Sequence, residues 1–129
     1  MTVWTNGCFD CIHSGHIEML EFARNQGDRL IVGIDSDDRV RASKGAKRPI
    51  HTVEQRKRVL SSIRFVDEVV TFSSDNELVN RIRESNAQLI VVGSDYFGRR
   101  VIGSEIAAVK FFERVPNLST TRIIDEDSF

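Results

Sequence analysis

The sequence predicts an α/β domain built on a parallel sheet that helices cover on both faces. Apolar runs and amphipathic runs alternate along the chain, which is the order expected of strand–helix–strand units. The apolar runs, such as residues 28–34 and 88–93, are nearly continuous, which is typical of strands buried on both faces. A chain of 129 residues with 40% apolar residues is expected to form a single domain with one core, spanning residues 1–129.

The same pattern places the elements in chain order. It predicts strands at residues 2–5, 28–34, 67–72, 88–93 and 108–113. It predicts helices at residues 15–26, 39–42, 52–63 and 75–84, with a short last helix that opens at 119–121. Ser36 is a predicted N-cap, and Thr52 with Gln55 forms a predicted capping box. Residues 43–52 are basic and turn-rich and are interpreted as a mobile loop, and residues 94–103 as an irregular one.

Composition excludes several classes of function. The formal net charge of −1 gives no broad electrostatic basis for binding nucleic acid or an anionic membrane. No apolar run approaches the roughly 20 residues of a membrane span. The first residues lack the pattern of a signal peptide, and two cysteines do not make a disulfide framework, so a cytoplasmic location is expected.

In parallel α/β sheets, ligands bind beyond the carboxyl ends of the strands. Four segments fall there, at residues 6–16, 35–37, 93–96 and 114–121. The dinucleotide fingerprint G-x-G-x-x-G and the P-loop G-x-x-x-x-G-K-[ST] are both absent from the sequence. A phosphate site in this chain must therefore use another motif.

The most informative stretch runs from Gly7 to His16 and reads GCFDCIHSGH, between an apolar strand and an amphipathic helix. Helix starts carry unpaired N–H groups and a partial positive charge, which suit a phosphate. Histidines three residues apart, here His13 and His16, can face the same side, and Gly15 allows a ligand to approach the backbone closely. Two imidazole donors to one phosphate would stabilise the charge that builds on phosphoryl oxygens during in-line displacement.

Other interpretations of this loop are open from the residues alone. Its cysteines and histidines form a C-x-x-C-x-H-x-x-H string, Cys8, Cys11, His13 and His16, that is chemically able to bind zinc. The crowding of all four within nine residues is unlike structural zinc sites, which draw ligand pairs from separate elements. A redox C-x-x-C is disfavoured because Cys8 falls at a strand end rather than at a helix start. The last alternative treats the cysteines as small apolar residues and the histidines as incidental.

Three stretches together resemble the cytidylyltransferase-like nucleotidylyltransferases. GCFDCIHSGH resembles the family signature G-x-F-D-x-x-H-x-G-H. Ile63 to Val69 is similar to I-R-x-V-D-E-V, and Arg114 followed by Leu118 to Thr121 is similar to R-x-x-x-I-S-T-T. The three stretches occur in the family's order and cover nearly the whole chain. The resemblance implies a Rossmann-like domain, usually a homodimer, that transfers NMP from an NTP to a phosphorylated alcohol or sugar and releases pyrophosphate.

The resemblance also assigns roles to residues of this chain. It implies that the transferring phosphate and the triphosphate are bound by His13, His16, Lys44 and Arg114. It implies nucleotide contacts for Cys8, Phe9, Asp10, Gly15, Gly93, Asp95, Tyr96, Ser119 and Thr120. It implies acceptor contacts for Arg56, Arg64 and Asp37. Mg²⁺ is expected through the NTP phosphates, with no metal held by the protein itself.

Details within the motifs separate two substrate pairs. Length and layout match the glycerol-3-phosphate cytidylyltransferases, so CTP and glycerol 3-phosphate are the favoured substrates. Residues 93–96 read GSDY where those enzymes carry G-D-D-W, and Pro116-Asn117 replaces a commoner Glu-Gly. Three features resemble instead the adenylyltransferase half of ADP-heptose synthases, namely Ser36-Asp37, Lys44-Gly45 with Arg48-Pro49, and residues 93–96 with 102–104. ATP with a sugar 1-phosphate such as heptose 1-phosphate is therefore the alternative, and a non-catalytic nucleotide-binding module is another.

Overall fold

The computed structural model describes residues 1–113, apart from the side chain of Asp95. The strands are β1 Thr2–Gly7, β2 Arg29–Asp35, β3 Glu68–Phe72, β4 Leu89–Gly93 and β5 Ala108–Phe112. The helices are α1 Ser14–Asn25, α2 Asp37–Lys44, α3 Val53–Ser61 and α4 Asp75–Ser85, with a 3-10 turn at Ser94–Tyr96. The predicted last helix, with Arg114, Ser119 and Thr120, lies outside the described residues.

The five strands form one sheet in the order β3-β2-β1-β4-β5, and every paired strand runs parallel to its neighbour. Neighbouring strand residues belong to different apolar clusters, as Val3 and Trp4 show. The cluster with Val3 also holds Leu20 of α1 and Leu60 of α3, whereas the cluster with Trp4 holds Ile82 of α4. Helices therefore cover both faces of the sheet, which confirms the predicted Rossmann-like α/β class.

Local signals set the helix starts. The hydroxyls of Ser36 and Thr52 accept hydrogen bonds from the backbone N–H groups of Arg39 and Gln55, and the Gln55 side chain returns a bond to Thr52. These bonds confirm both predicted caps. The caps could be predicted from sequence because each bond joins residues only three apart.

None of the helices in residues 1–113 has the length and apolar character that a membrane span requires.

The basic segment differs from its prediction. α2 continues to Lys44, so this lysine lies on the last turn of a helix rather than on a loop. The segment that follows is also tied to the rest of the protein, because a buried carboxylate of the β1–α1 loop bonds residues 48–51. The prediction of a mobile loop over 43–52 rested on charge and turn residues. It did not include the bonds to Asp10, which lies about 40 residues away in the sequence.

Gly33 is required by the largest buried side chain. A Cβ atom at position 33 would lie 2.5 Å from Cζ2 of Trp4 and 2.8 Å from Cη2 of the same ring. The indole is completely buried, and its Nε1 donates to Oδ1 of Asn6 at 2.9 Å, which holds the ring in place. Gly33→Ala is therefore expected to lower the free energy of unfolding by about 2 kcal/mol through overpacking, measured by urea denaturation. Ser61→Ala, an exposed helical control, is expected to stay within about 0.5 kcal/mol. An unchanged Gly33→Ala midpoint would show that the indole moves aside freely.

Candidate active site

The sheet opens a cavity at its switch point, between β1 and β4. These two strands pair only through Val3–Leu89 and Trp4–Ile90, although both continue further. Beyond this register the Thr5 hydroxyl donates to the Val91 carbonyl at 2.7 Å. The chain leaves β1 toward β2 on one side and reaches β4 on the other, which is where ligands bind in open α/β sheets. The cavity here has a volume of about 490 Å³.

The two motif histidines form the cap of α1. His13 is the N-cap residue, and its Nδ1 accepts the N–H of Gly15 at 3.0 Å. The N–H of His13 donates in turn to Nδ1 of His16 at 3.1 Å. A ring nitrogen that accepts a backbone N–H carries no hydrogen, so in each neutral imidazole the hydrogen resides on Nε2. The cap therefore fixes one tautomer in both rings, with the ring hydrogen on Nε2.

The rings are also held in position by packing. Their centroids lie 4.0 Å apart, and His16 is 2% exposed. The ring of Phe9 packs against His16 with a centroid distance of 5.4 Å. Phe9 has a φ of 53°, a conformation that is unfavourable for a bulky residue and that clusters at functional sites. Phe9, predicted as a nucleotide contact, is thus placed as the support behind the histidine pair.

Asp10 anchors the basic segment to the histidine loop. Its buried carboxylate accepts the backbone N–H groups of Ile50 and His51 at 2.8 and 2.9 Å. The Arg48 guanidinium donates to the same carboxylate through Nε at 3.0 Å. Burial by itself would raise the pKa of Asp10, but these hydrogen bonds outweigh burial and hold the pKa below its ordinary value. The predicted nucleotide-binding residue is thus engaged with the protein, and it joins two segments of the site.

Asp10→Asn is expected to lower the free energy of unfolding at pH 7 by about 2 kcal/mol, because buried donors lose a charged acceptor. The folded-state pKa of Asp10 is lowered, so its contribution is complete above the unfolded-state pKa of about 4 and is lost as the pH falls through the lower folded-state pKa. The difference between wild type and variant should therefore narrow in acid, measured by urea unfolding from pH 7 downward. A difference that stays constant through this range would contradict the assignment to the carboxylate charge.

Lys44 lines the cavity from the end of α2, together with Ser43 and Ala42. Cys8 also lines the cavity, half-buried and without a disulfide. Burial raises the pKa of the Cys8 thiol, and the charges of Arg56 and Lys44 offset part of that rise. Cys8 therefore remains a neutral thiol in the cavity wall.

The far wall comes from the residues after β4. Gly93 ends this strand, and Tyr96 closes the 3-10 turn that follows, with both residues lining the cavity. Arg100 lines it as well, and the guanidinium of Arg99 lies 5.7 Å from the centre of the Tyr96 ring. Of the predicted nucleotide contacts on this side, Gly93 and Tyr96 are brought to the cavity, and Asp95 lies between them in the turn.

Arg56, which is predicted as an acceptor contact, lies buried beside the ends of β1 and β2. It is 1% exposed, and its guanidinium donates to the carbonyl oxygens of Cys8, Asp35 and His51 and to Oδ1 of Asp37. These bonds connect the ends of β1 and β2 with α2 and α3. The arginine therefore holds the strand ends in register, and Asp37, also predicted as an acceptor contact, is its partner.

Arg64 lies at the other edge of the sheet. It falls between the end of α3 and the start of β3, where Asp67 bonds both the N–H and the carbonyl of Leu30. Its guanidinium lies 5.1 Å from the centre of the Phe65 ring. Within residues 1–113, Arg64 therefore lies away from the cavity at the carboxyl edge, and its predicted acceptor contact stays a prediction.

Residues that sequence reasoning did not single out complete the cavity. Arg39 and Arg100 line it, and Asp35, noted only as part of a strand-end segment, lines it too. Arg39 Nε donates to Oδ1 of Asp35 at 2.8 Å across the turn from β2 into α2, and the two residues are only four apart in the sequence, which is a local signal. Burial raises the pKa of Asp35, and Arg39 offsets part of this rise. Arg100 carried no such local signal.

The described residues do not gather a metal-binding set. Among residues 1–113, no group of three or more His, Cys, Asp or Glu side chains is placed to hold an ion, so the zinc interpretation gains no support. Asp35 is the carboxylate in the cavity wall, and it is paired with Arg39.

Fold and cavity together define a Rossmann-like α/β protein with a cavity at the topological switch point, beside the histidine-capped helix α1. Comparison with family models is more specific. Residues 4–126 match the cytidylyltransferase-like model, and the chain belongs to the cytidylyltransferase-like family.

Relatives of known name support this membership. The chain is 43% identical over 125 residues to the bifunctional protein HldE of Campylobacter fetus, covering 96% of this chain and 27% of that protein. It is 46% identical to the bifunctional protein HldE of Campylobacter concisus, covering 95% and 26% of the two chains. The chain thus spans about a quarter of the length of these relatives.

Solved structures agree on the fold. The lipopolysaccharide core biosynthesis protein of Thermoplasma volcanium superposes with a TM-score of 0.71 at 24% identity, over 89% of this chain and 96% of that one. A protein of unknown function from Archaeoglobus fulgidus gives a TM-score of 0.67 at 20% identity, over 95% of both chains. These similarities concern the fold alone.

Proposed function

We propose that this chain is a nucleotidylyltransferase that transfers NMP from an NTP to a small phosphorylated acceptor and releases pyrophosphate. The observation that carries the proposal is the reciprocal cap of α1, in which Nδ1 of His13 and Nδ1 of His16 each accept a backbone N–H, so that the hydrogen of each neutral ring is on Nε2. This pair lies at the carboxyl edge of the sheet, at the entrance to a helix start, where an anion is favoured.

In the proposed reaction, a phosphate oxygen of the acceptor attacks the α-phosphorus of the NTP. The bond from that phosphorus to the bridging oxygen breaks, and pyrophosphate leaves with the electron pair. Charge grows on the α-phosphoryl oxygens during this displacement, and fixed Nε2–H donors stabilise it without reorganisation. Lys44 would balance the charge of the departing pyrophosphate, and the acceptor supplies its own nucleophile.

Mg²⁺ is proposed to enter with the triphosphate. It would neutralise phosphate charge, and the described residues offer no cage that would hold it independently. In this proposal, the side chains of the protein bind the phosphates, fix the tautomers of the histidines and exclude competing water.

Of the two substrate pairs, we favour ATP with a sugar 1-phosphate of the heptose 1-phosphate class. This reverses the preference for CTP and glycerol 3-phosphate that length and layout gave. The support is the identity of 43–46% with proteins named as bifunctional, of which this chain matches about a quarter. That partial match agrees with the sequence resemblance to one half, the adenylyltransferase half, of an ADP-heptose synthase.

The test is pyrophosphate release with ATP and with CTP, each across heptose 1-phosphate, other sugar 1-phosphates and glycerol 3-phosphate. ATP with a sugar 1-phosphate is expected to give the highest kcat/KM. Preference for CTP and glycerol 3-phosphate would restore the first substrate pair. Nucleotide binding without release from any combination would support a non-catalytic module. A homodimer remains a prediction, which sedimentation velocity would measure.

A further inference from the structure

The residues that line the cavity lie on both sides of β1 and of the loop that joins β1 to α1. β1 and its loop form the middle of the wall through Asn6, Gly7 and Cys8. On the β4 side the lining residues are Val92, Gly93, Tyr96 and Arg100. On the side of β2 and β3 they are Asp35, Arg39, Phe72 and Leu78.

In an in-line transfer, the two sides of the cavity would bind different substrates. The attacking and leaving oxygens lie opposite each other across the transferring phosphorus, so acceptor and nucleotide extend in different directions from the histidines. The β4 side offers an aromatic ring, Tyr96, and backbone at Gly93, which suit a flat base. The β2 and β3 side offers a carboxylate beside a guanidinium, which suits hydroxyl groups.

This charged pair is held rigidly. Arg39 donates through Nε to Oδ1 of Asp35 and through Nη2 to Oδ1 of Asp75, each at 2.8 Å. Its guanidinium carbon lies 5.3 Å from the centre of the Phe72 ring, so bonds from two elements and an aromatic face fix its position. Within residues 1–113, no hydrogen bond engages the second oxygen of the Asp35 carboxylate. The second oxygen of such a fixed carboxylate, in the wall of a cavity, can accept a hydrogen bond from a hydroxyl group of a ligand.

We propose that Asp35 and Arg39 form the acceptor subsite and read ring hydroxyls of the sugar 1-phosphate. This inference rests on the proposed function and adds to it the residues that select the sugar. Asp35 accepts from one or two hydroxyls, and Arg39 holds the carboxylate in place and donates to a ring or hydroxyl oxygen. A site built in this way discriminates against an analogue that lacks the hydroxyl, because the partly buried carboxylate then loses its partner.

The experiment compares wild type, Asp35→Asn and Asp38→Asn in pyrophosphate release with ATP and a sugar 1-phosphate. Asp38 is the control, since it lies three residues further along the chain, on α2, in an exposed ion pair with Arg41. Asp35→Asn is expected to raise the acceptor KM by about 10-fold or more and to leave the KM for ATP within about two-fold. Asp38→Asn should leave both values unchanged. Arg39→Lys, which keeps the charge and loses the planar fork, should also act on the acceptor KM.

Deoxy analogues provide the sharper measurement. For at least one ring position, wild type should prefer the complete sugar 1-phosphate over its deoxy analogue by about 10-fold or more, and Asp35→Asn should lose that preference. An unchanged acceptor KM and preference in a folded Asp35→Asn variant would overturn the inference while the proposed function stands. A rise confined to the KM for ATP would assign Asp35 to the nucleotide instead. Wild-type protein that releases no pyrophosphate with any acceptor would overturn the proposed function, and the subsite with it.

Discussion

His13→Asn is expected to reduce kcat at least about 100-fold while the free energy of unfolding stays within about 0.5 kcal/mol of wild type. Asparagine is among the best N-cap residues, so its side-chain oxygen can accept the Gly15 N–H that Nδ1 of His13 accepts now. It cannot supply the Nε2–H donor of the imidazole. The substitution therefore separates the capping role of His13 from its proposed role in stabilising the transition state.

His13→Ala is the matched comparison, because it removes both roles. It should reduce kcat to a similar extent and also lower the free energy of unfolding by about 1 kcal/mol, the usual cost of a lost cap. Pyrophosphate release gives the first quantity and urea denaturation the second. Near-normal kcat in His13→Asn would mean that His13 serves the helix alone, and transition-state stabilisation would then fall to His16 and the helix start.

Lys44→Met is expected to lower kcat/KM for the NTP by about 100-fold, because one charged donor to the triphosphate is lost. Methionine keeps the aliphatic part of the side chain, and Lys44 lies exposed at the end of α2, so the fold should be retained. Loss of a cation at a helix C-terminus should cost no more than about 1 kcal/mol of unfolding free energy. Steady-state pyrophosphate release at varied NTP concentration measures the kinetic effect.

Lys47→Met is the control for Lys44. Lys47 is exposed three residues further on and is not among the residues that line the cavity, so its loss should change kcat/KM by less than about two-fold. Equal effects of the two substitutions would point to general electrostatic attraction of the nucleotide by the basic segment. If Lys44→Met left kcat/KM unchanged, Lys44 would not contact the phosphates, and Arg39 and Arg100 would be the remaining cations among the described residues that line the cavity.

The helix starts illustrate what local sequence determines. The bonds that cap α2 and α3 join residues three apart, and the motif histidines are likewise three apart. Partners so close in sequence can be predicted from the sequence alone. Continuous apolar runs predict buried parallel strands because such strands are covered on both faces. The same logic predicts that ligands bind at the carboxyl edge of the sheet, which is where the cavity opens.

The sequence by itself determined the α/β class, the strand and helix order, the helix caps and the histidine loop. Only the tertiary structure decided that Asp10 bonds a segment about 40 residues away, and that Arg56 serves the strand ends. It alone brought Arg39 and Arg100 into one cavity and left Arg64 at the opposite edge. The physical reason is range: periodicity and capping act within a few residues, whereas these contacts depend on the strand order β3-β2-β1-β4-β5, which no local pattern encodes.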